Sequence, residues 1–217
     1  MISHKFKCIF VEVPKTGSTS IRKIIGSPKK PHLSISQIRY EMHRHRSATG
    51  TGAMSWIQSK AYFFLPEAKR YAIGENQFCS YFKFGFVRNP WDRVVSLYRR
   101  KEGLQMQEKM TFEEFVTWIK YSSSTCVHPT PHVNQLDWLV DSHGNVLVDF
   151  IGRFETLQAD WEAISKKIGA KSTLPHYKKN TEKDNKKHYT EWYSKKTKDI
   201  VEAKFRTDIE YFGYTFS

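Results

Sequence analysis

The chain has 217 residues, 39% hydrophobic and 15% aromatic, which is enough apolar mass for one folded domain with a full core and argues against an intrinsically disordered chain. No run of 18 or more apolar residues occurs, which argues against a membrane-spanning helix, and three cysteines (Cys8, Cys79, Cys126) without metal-ligand spacing imply no disulfide framework and fit a reducing compartment. The net charge of +13 suits nucleic acid, an anionic membrane, an anionic cofactor or a polyanionic substrate and does not choose between them.

In chain order, Lys5–Val13 reads as a buried strand; its apolar stretch from Cys8 to Val13 is shorter than the ~7–15 residues of a signal-peptide core. A loop follows, and then a helix from about Ser18 to Ile25. Residues 26–31, GSPKKP, form a breaker-rich turn. His32–Met42 reads as a short helix with Ser34 or Ser36 as its cap. Residues 43–60 read as a loop or lid, inside a longer insertion at about 40–76. YFKFGFVRNP, residues 81–90, alternates and then turns apolar, as a second core strand does. Pro90 suits the first position of an amphipathic helix in WDRVVSLYRR. Thr111 and Glu114 form a capping box for a helix over 111–121. Residues 145–155 give a third strand, and 156–169 a helix closed by Gly169. The tail is expected to be helical from Thr190 to Phe205 and to end in an aromatic docking segment, YFGYTF. Strand–loop–helix thus occurs three times. The expected fold is α/β: a P-loop-like three-layer sandwich, with a mostly parallel central sheet flanked by helices, spanning 1–217 as a single domain. Ligands then sit beyond the carboxyl ends of the strands.

Two strand ends carry anion-binding chemistry. The first is FVEVPKTGSTSI, residues 10–21. A nucleotide P-loop reads G-x-x-x-x-G-K-[ST], whereas here Lys15 precedes Gly17. Gly17 lets the backbone turn closely, residues 17–20 present N–H groups at a helix N-terminus, and the helix dipole adds positive potential. Ser18, Thr19 and Ser20 supply hydroxyls, and Lys15 supplies a mobile cation. The bland reading is a βα turn that happens to be rich in Ser and Thr. The second strand end is FVRNPWDRVVSLYRR. Arg88 at the strand end can hold a phosphate through two parallel hydrogen bonds, and Ser96 can add a hydroxyl from the following helix. In the bland reading Arg88 or Arg93 only pairs with Asp92 or a helix end. Together, the two strand ends can hold two separate phosphates of one nucleotide.

This combination resembles the sulfotransferases, and with VDFIGRFETLQADW downstream it is most similar to their carbohydrate-type branch. That branch includes the heparan sulfate 2-O-sulfotransferases, chondroitin sulfotransferases and bacterial relatives. The resemblance runs from about Phe10 to Tyr214, the insertion excepted. It implies 3′-phosphoadenosine 5′-phosphosulfate as cofactor and no metal. Lys15, Thr16, Gly17, Ser18, Thr19 and Ser20 would hold the 5′-phosphosulfate, and Arg88 and Ser96 the 3′-phosphate. HYKKNTEK, residues 176–183, is similar to a late basic loop that closes over the nucleotide. It adds Lys179, Thr181 and Lys183 as contacts; read on its own it is a solvated lysine-rich turn. The implied reaction is in-line transfer of a sulfuryl group to an acceptor hydroxyl, with positioning and charge stabilisation as the protein's share. Lys15 would follow the charge growing on the bridging oxygen.

An acceptor hydroxyl needs a base. His32, in HLSISQI, matches the family's His-x-Ser segment; His45 in HRHRSAT is its rival, followed by His43 or a carboxylate, with Glu12 too deep in its strand. His43 and His45 lack the Cys or acidic partners of a metal site. The similarity favours a glycan acceptor, with residues 43–60 and 126–138 as candidate walls and Lys178, Arg44 and Arg46 as holds for an anionic sugar. No nucleic-acid partner is expected. Animal relatives are anchored in the Golgi; a chain that opens on its core strand is expected to be cytoplasmic. Two readings from other classes remain. A P-loop nucleotide kinase needs a lysine after the loop glycine and an acid at a strand end for Mg²⁺. A non-catalytic polyanion-binding protein would use the basic face of 166–198, eleven lysines against three carboxylates, and has no need of a preorganised anion nest.

Overall fold

The computed structural model describes residues 1–26, 32–44, 50–51, 66–99, 110–121, 132–175 and 187–217. The five-stranded sheet has the order β3-β1-β2-β4-β5, with β1 Ile2–Ser3, β2 Cys8–Val11, β3 Gly50–Thr51, β4 Phe82–Val87 and β5 Phe150–Arg153. β2, β4 and β5 are parallel, with Phe10 opposite Phe84 and Phe84 opposite Phe150. β1 folds back antiparallel on β2. The expected single strand Lys5–Val13 is therefore the turn and second strand of a β1–β2 hairpin, and the turn passes through Lys7 at φ 45°. The third strand is also shorter than expected. Val146 instead makes an isolated bridge to Val140.

Alternation along β2 explains the layers. Cys8 and Phe10 face one core, with Ile21 and Ile25 of helix α1 (Ser18–Ile25) and Trp161 and Ile164 of helix α6 (Leu157–Ile168). Ile9 and Val11 face the other. There lie α2 (Ile35–Arg44), α3 (Glu67–Ser80), α4 (Pro90–Tyr98), α5 (Phe112–Tyr121), α7 (Lys195–Lys204) and α8 (Arg206–Phe212). Helices on both faces of a mostly parallel sheet give the expected α/β sandwich. Burying both faces is what lets β2 read as a continuous apolar run.

Helix boundaries follow their caps. α2 begins after Ser34, whose Oγ accepts from Gln37 N at 3.3 Å while Gln37 Oε1 accepts from Ser34 N at 2.9 Å, a reciprocal capping box. The expected box at Thr111 and Glu114 opens α5, with Thr111 N donating to Glu114 Oε2 at 2.6 Å. Gly169, left-handed at φ 67°, ends α6. The expected tail helix is divided: a 3₁₀ turn at Tyr189–Trp192 precedes α7, and α8 follows. The tail's aromatics do dock, with Phe216 edge-on to Trp91 at 5.5 Å. Within the insertion, α2 runs on to Arg44, β3 extends the sheet edge, and α3 crosses α2 so closely that a Cβ on Gly74 would collide with the Met42 carbonyl. Among the described residues no helix is long and apolar enough to cross a membrane.

Candidate functional site

The loops leaving β2 and β4 meet. Arg88 Nη1 donates to the carbonyl of Lys15 at 3.2 Å. Five residues on, Arg93 Nε donates to the carbonyl of Pro14 at 3.2 Å from a fully buried position. Two arginines of the second turn thus grip consecutive carbonyls of the first. Lys15 is held at φ 72° and Gly17 at φ 86°, so the loop takes two left-handed steps before α1 begins. Gly17 is needed twice over. A Cβ there would adopt a conformation that side chains disfavour, and it would meet Leu157 Cδ2 at 2.9 Å and Phe154 Cδ2 at 3.2 Å. The first turn of α1 has no side-chain cap. Ser20 N donates back to Gly17 O at 3.3 Å, and the N–H groups of Ser18 and Thr19 stand at the positive end of the helix dipole. Ser18, Thr19 and Ser20 stand on that turn. Thr16 behaves differently: its hydroxyl donates inward to Val13 O at 2.9 Å and the residue is buried, so it braces the loop and leaves only its backbone to face an anion.

Arg88 lies over the ring of Phe154 with its guanidinium carbon 4.0 Å from the centroid. Its Nε donates to Asp92 Oδ2 at 2.7 Å. Asp92 and Ser96 follow at successive four-residue steps, so Ser96 shares the face of α4 that carries Arg88's partner. The Arg88–Asp92 pair of the bland reading is therefore present, and it takes one of the guanidinium's five donors. Asn89 caps α4 by accepting from Trp91 N at 3.1 Å, and its own N–H donates to Glu155 Oε1 at 2.6 Å.

Glu12, fully buried at the end of β2, takes Arg22 Nε at 2.6 Å and Nη2 at 2.8 Å. Its carbonyl lies 3.0 Å from His32 Nδ1. A carbonyl only accepts, so Nδ1 carries the proton and Nε2 of the neutral ring has the lone pair. That is the tautomer a general base requires, held on a carbonyl three residues from Lys15 in sequence. His32 is itself left-handed, at φ 59°, a strained conformation for such a residue. His43 is occupied elsewhere: its Nε2 meets Glu75, which also binds Arg39 Nε at 3.1 Å, and its ring packs on Tyr71. Hydrogen bonding from Arg39 holds the Glu75 carboxyl down at about 2. This cluster fastens α2 to α3. His45, Lys179, Thr181 and Lys183 lie outside the described residues, as do Lys178 and Arg46.

The model of the sulfotransferase family described as Sulfotransfer_2 matches residues 1–215. The chain belongs to the sulfotransferase family. It is 21% identical to carbohydrate sulfotransferase 10 of Xenopus laevis, with 98% of this chain and 66% of that protein aligned. It is 26% identical to carbohydrate sulfotransferase 11 of Rattus norvegicus, over 54% of this chain and 42% of that protein. The chain thus spans two thirds or less of these relatives. An uncharacterized protein of Archaeoglobus fulgidus is 34% identical over 48% of this chain and 82% of its own length. No solved structure matches significantly.

In this sulfotransferase the sequence motifs pointed to Lys15, residues 16–20, Arg88 and His32, and the fold brings these to the carboxyl ends of the neighbouring strands β2 and β4. It adds Arg93, Phe154 and Glu155, which the motifs did not single out for a role. The segment VDFIGRFE signalled Phe154 and Glu155 only as a stretch, and Arg93 figured only in the bland pairing with Asp92 or a helix end. β4 is followed directly by Arg88, where a nucleotide kinase would place an acid. Among the described residues no group of three or more His, Cys, Asp or Glu is arranged to hold a metal ion. The lysine-rich face is partly self-paired. A groove of about 800 Å³ between α5 and α7 is lined by Lys120, Lys195, Lys196 and Lys204, with Asp199 among them. Lys195 bonds Asp199 at 3.0 Å and Lys196 bonds Glu113 at 2.9 Å.

Proposed function

We propose that this chain transfers a sulfuryl group from 3′-phosphoadenosine 5′-phosphosulfate to an acceptor hydroxyl on a glycan, with His32 as the base. The observation that carries the reading is the contact between the two anion-binding turns, Arg88 to the Lys15 carbonyl at 3.2 Å. One nucleotide with a phosphate at each end of its ribose needs two such turns at a fixed separation. The residues present suit that ligand. The Gly17 turn packs on Leu157 and Phe154 too closely to admit a Cβ, α1 opens beside it with no side-chain cap, and the Arg88 guanidinium lies over the same Phe154.

When bound, the nucleotide supplies the activated sulfuryl group. The first turn of α1, with Lys15, would hold the 5′ side, and Arg88 with Ser96 the 3′-phosphate. Lys15 would sit by the bridging oxygen, where negative charge develops as the bond to sulfur breaks. His32 Nε2 would take the acceptor's proton while Nδ1 stays bonded to Glu12 O. Such a base is worth ~10²–10⁴ in rate. The glycan acceptor rests on similarity to the two carbohydrate sulfotransferases. A location in the cytoplasm remains part of the proposal.

Calorimetric titration with 3′-phosphoadenosine 5′-phosphate tests the reading. The native chain should bind without metal, and Lys15→Ala and Arg88→Ala should each weaken binding. Binding of ATP with Mg²⁺ in place of this nucleotide would overturn it. An acceptor screen on glycans, with His32→Ala as control, then tests the transfer.

A further inference from the structure

The residue that aims Arg88 lies 47 positions downstream, on a different loop. β4 ends at Val87, so the N–H and C=O of Arg88 leave the sheet and need partners. Both find them in one side chain. Gln135 Oε1 accepts from Arg88 N at 2.8 Å, and Gln135 Nε2 donates to Arg88 O at 2.8 Å. The Gln135 amide therefore stands in for one more rung of β ladder. Gln135 is fully buried, as is Asp208 on α8. Asp208 Oδ2 accepts from Gln135 N at 2.8 Å and from Gln135 Nε2 at 3.3 Å, while Oδ1 accepts from Leu136 N at 3.0 Å. This settles which way the amide points. Its NH₂ has two acceptors, Arg88 O and Asp208, and its oxygen has one donor, Arg88 N. A flipped amide would set NH₂ against N–H and oxygen against a carboxylate.

We infer that Gln135 is a specificity-determining positioning residue, which holds the Arg88 backbone so that its guanidinium meets the 3′-phosphate of the nucleotide. This rests on the nucleotide reading above. Arg88 reaches its place over Phe154, beside Lys15 O and Asp92, from a residue whose own N–H and C=O are both held by Gln135, with Glu155 holding the next N–H. A binding group must stay within roughly 0.5 Å and 10–20° of its productive geometry, and a long side chain amplifies any backbone rotation. Gln135, within the stretch 126–138 expected as an acceptor wall, thus supports Arg88 from beneath.

The test compares 3′-phosphoadenosine 5′-phosphate with adenosine 5′-phosphate by calorimetry on the native chain, Gln135→Met, Arg88→Ala and the double variant. The readout is the ratio of the two dissociation constants, which a general loss of stability does not move. In Gln135→Met the preference for the 3′-phosphate should fall about tenfold or more, the scale of lost charge-assisted hydrogen bonds. On the Arg88→Ala background Gln135→Met should change the ratio no further. An unchanged ratio, or a further loss on that background, overturns the inference. If thermal melting shows that Gln135→Met does not fold, Gln135→Asn takes its place. Its amide keeps polar groups beside Asp208 but is one methylene shorter and cannot span both Arg88 N and Arg88 O, so the same fall is expected and an intact ratio is the refutation. A native chain that binds both nucleotides equally overturns the nucleotide reading itself, and this inference with it.

Discussion

Replacing Gly17 by alanine tests whether the two turns are packed together as the structure shows. Three effects contribute. Alanine at φ 86° costs about 1–2 kcal/mol as a left-handed residue. Its Cβ would sit 2.9 Å from Leu157 Cδ2 and 3.2 Å from Phe154 Cδ2, and overpacking of this kind costs about 1–3 kcal/mol. Against these, alanine reduces the freedom of the unfolded chain, offsetting about 0.4–1 kcal/mol. The net loss is on the order of 2–3 kcal/mol, and in a chain of this size that lowers Tm by roughly 4–12 °C. Gly144 is the internal control. It has φ 84°, and a Cβ added there would meet nothing within 4 Å, so Gly144→Ala bears the conformational cost without the clash. Thermal unfolding followed by circular dichroism should place Gly17→Ala below Gly144→Ala. Calorimetry should show weaker nucleotide binding for Gly17→Ala alone, because Phe154 is also the floor under Arg88. If both variants melt together and Gly17→Ala binds as the native chain does, the packing of the loop against Phe154 is refuted.

His32→Ala should lower sulfuryl transfer by ~10²–10⁴ and leave the dissociation constant of 3′-phosphoadenosine 5′-phosphate unchanged; equal losses in both would assign His32 to binding. Glu75, whose carboxyl is held down at about 2, contributes stability that is complete above the ordinary carboxylate range and is lost as pH falls toward 2. Glu75→Gln should therefore melt lower at pH 7 by the equivalent of about 1 kcal/mol, with the gap closing in acid; a gap that stays constant down to pH 3 would refute the assignment. Burial pushes the Cys8 thiol up to about 12, so a maleimide should modify exposed Cys79 in the folded protein and reach Cys8 only on unfolding. Mass spectrometry of the labelled peptides checks this, and rapid labelling of Cys8 would contradict the buried hairpin.

The elements legible in the sequence were those whose signals are local. α1 is bracketed by Gly17 and Gly26, and α6 is stopped by Gly169, so both came out at their observed ends. The β1–β2 hairpin was hidden because its turn uses Lys7 at positive φ, a conformation that a lysine does not announce. α3 went unread because most of it lies in a stretch set aside as an insertion, where its fit to α2 depends on the close approach at Gly74 and on the bonds of Glu75 to Arg39 and His43. The site divides in the same way. Lys15, Gly17 and Arg88 are written in two short motifs at strand ends, where a ligand is expected. Gln135 and Asp208 reach Arg88 through contacts 47 and 73 residues apart, and Arg93 reaches Pro14 across 79. No spacing rule encodes contacts of that kind.

Arg88 also shows why a pairing with Asp92 need not compete with ligand binding. A guanidinium carries five N–H donors. Among the described residues Arg88 spends one on Asp92 and one on the Lys15 carbonyl, which leaves three for a phosphate. The two bonds it makes are what aim those three. A single βα turn can nest one anion, but it cannot set the distance to a second. Here Arg88 and Arg93 tie consecutive carbonyls of the first turn to the second, and Gln135 fixes the backbone from which Arg88 reaches. On the proposed function, recognition of two phosphates would depend less on either turn than on the buried polar groups that hold the turns together.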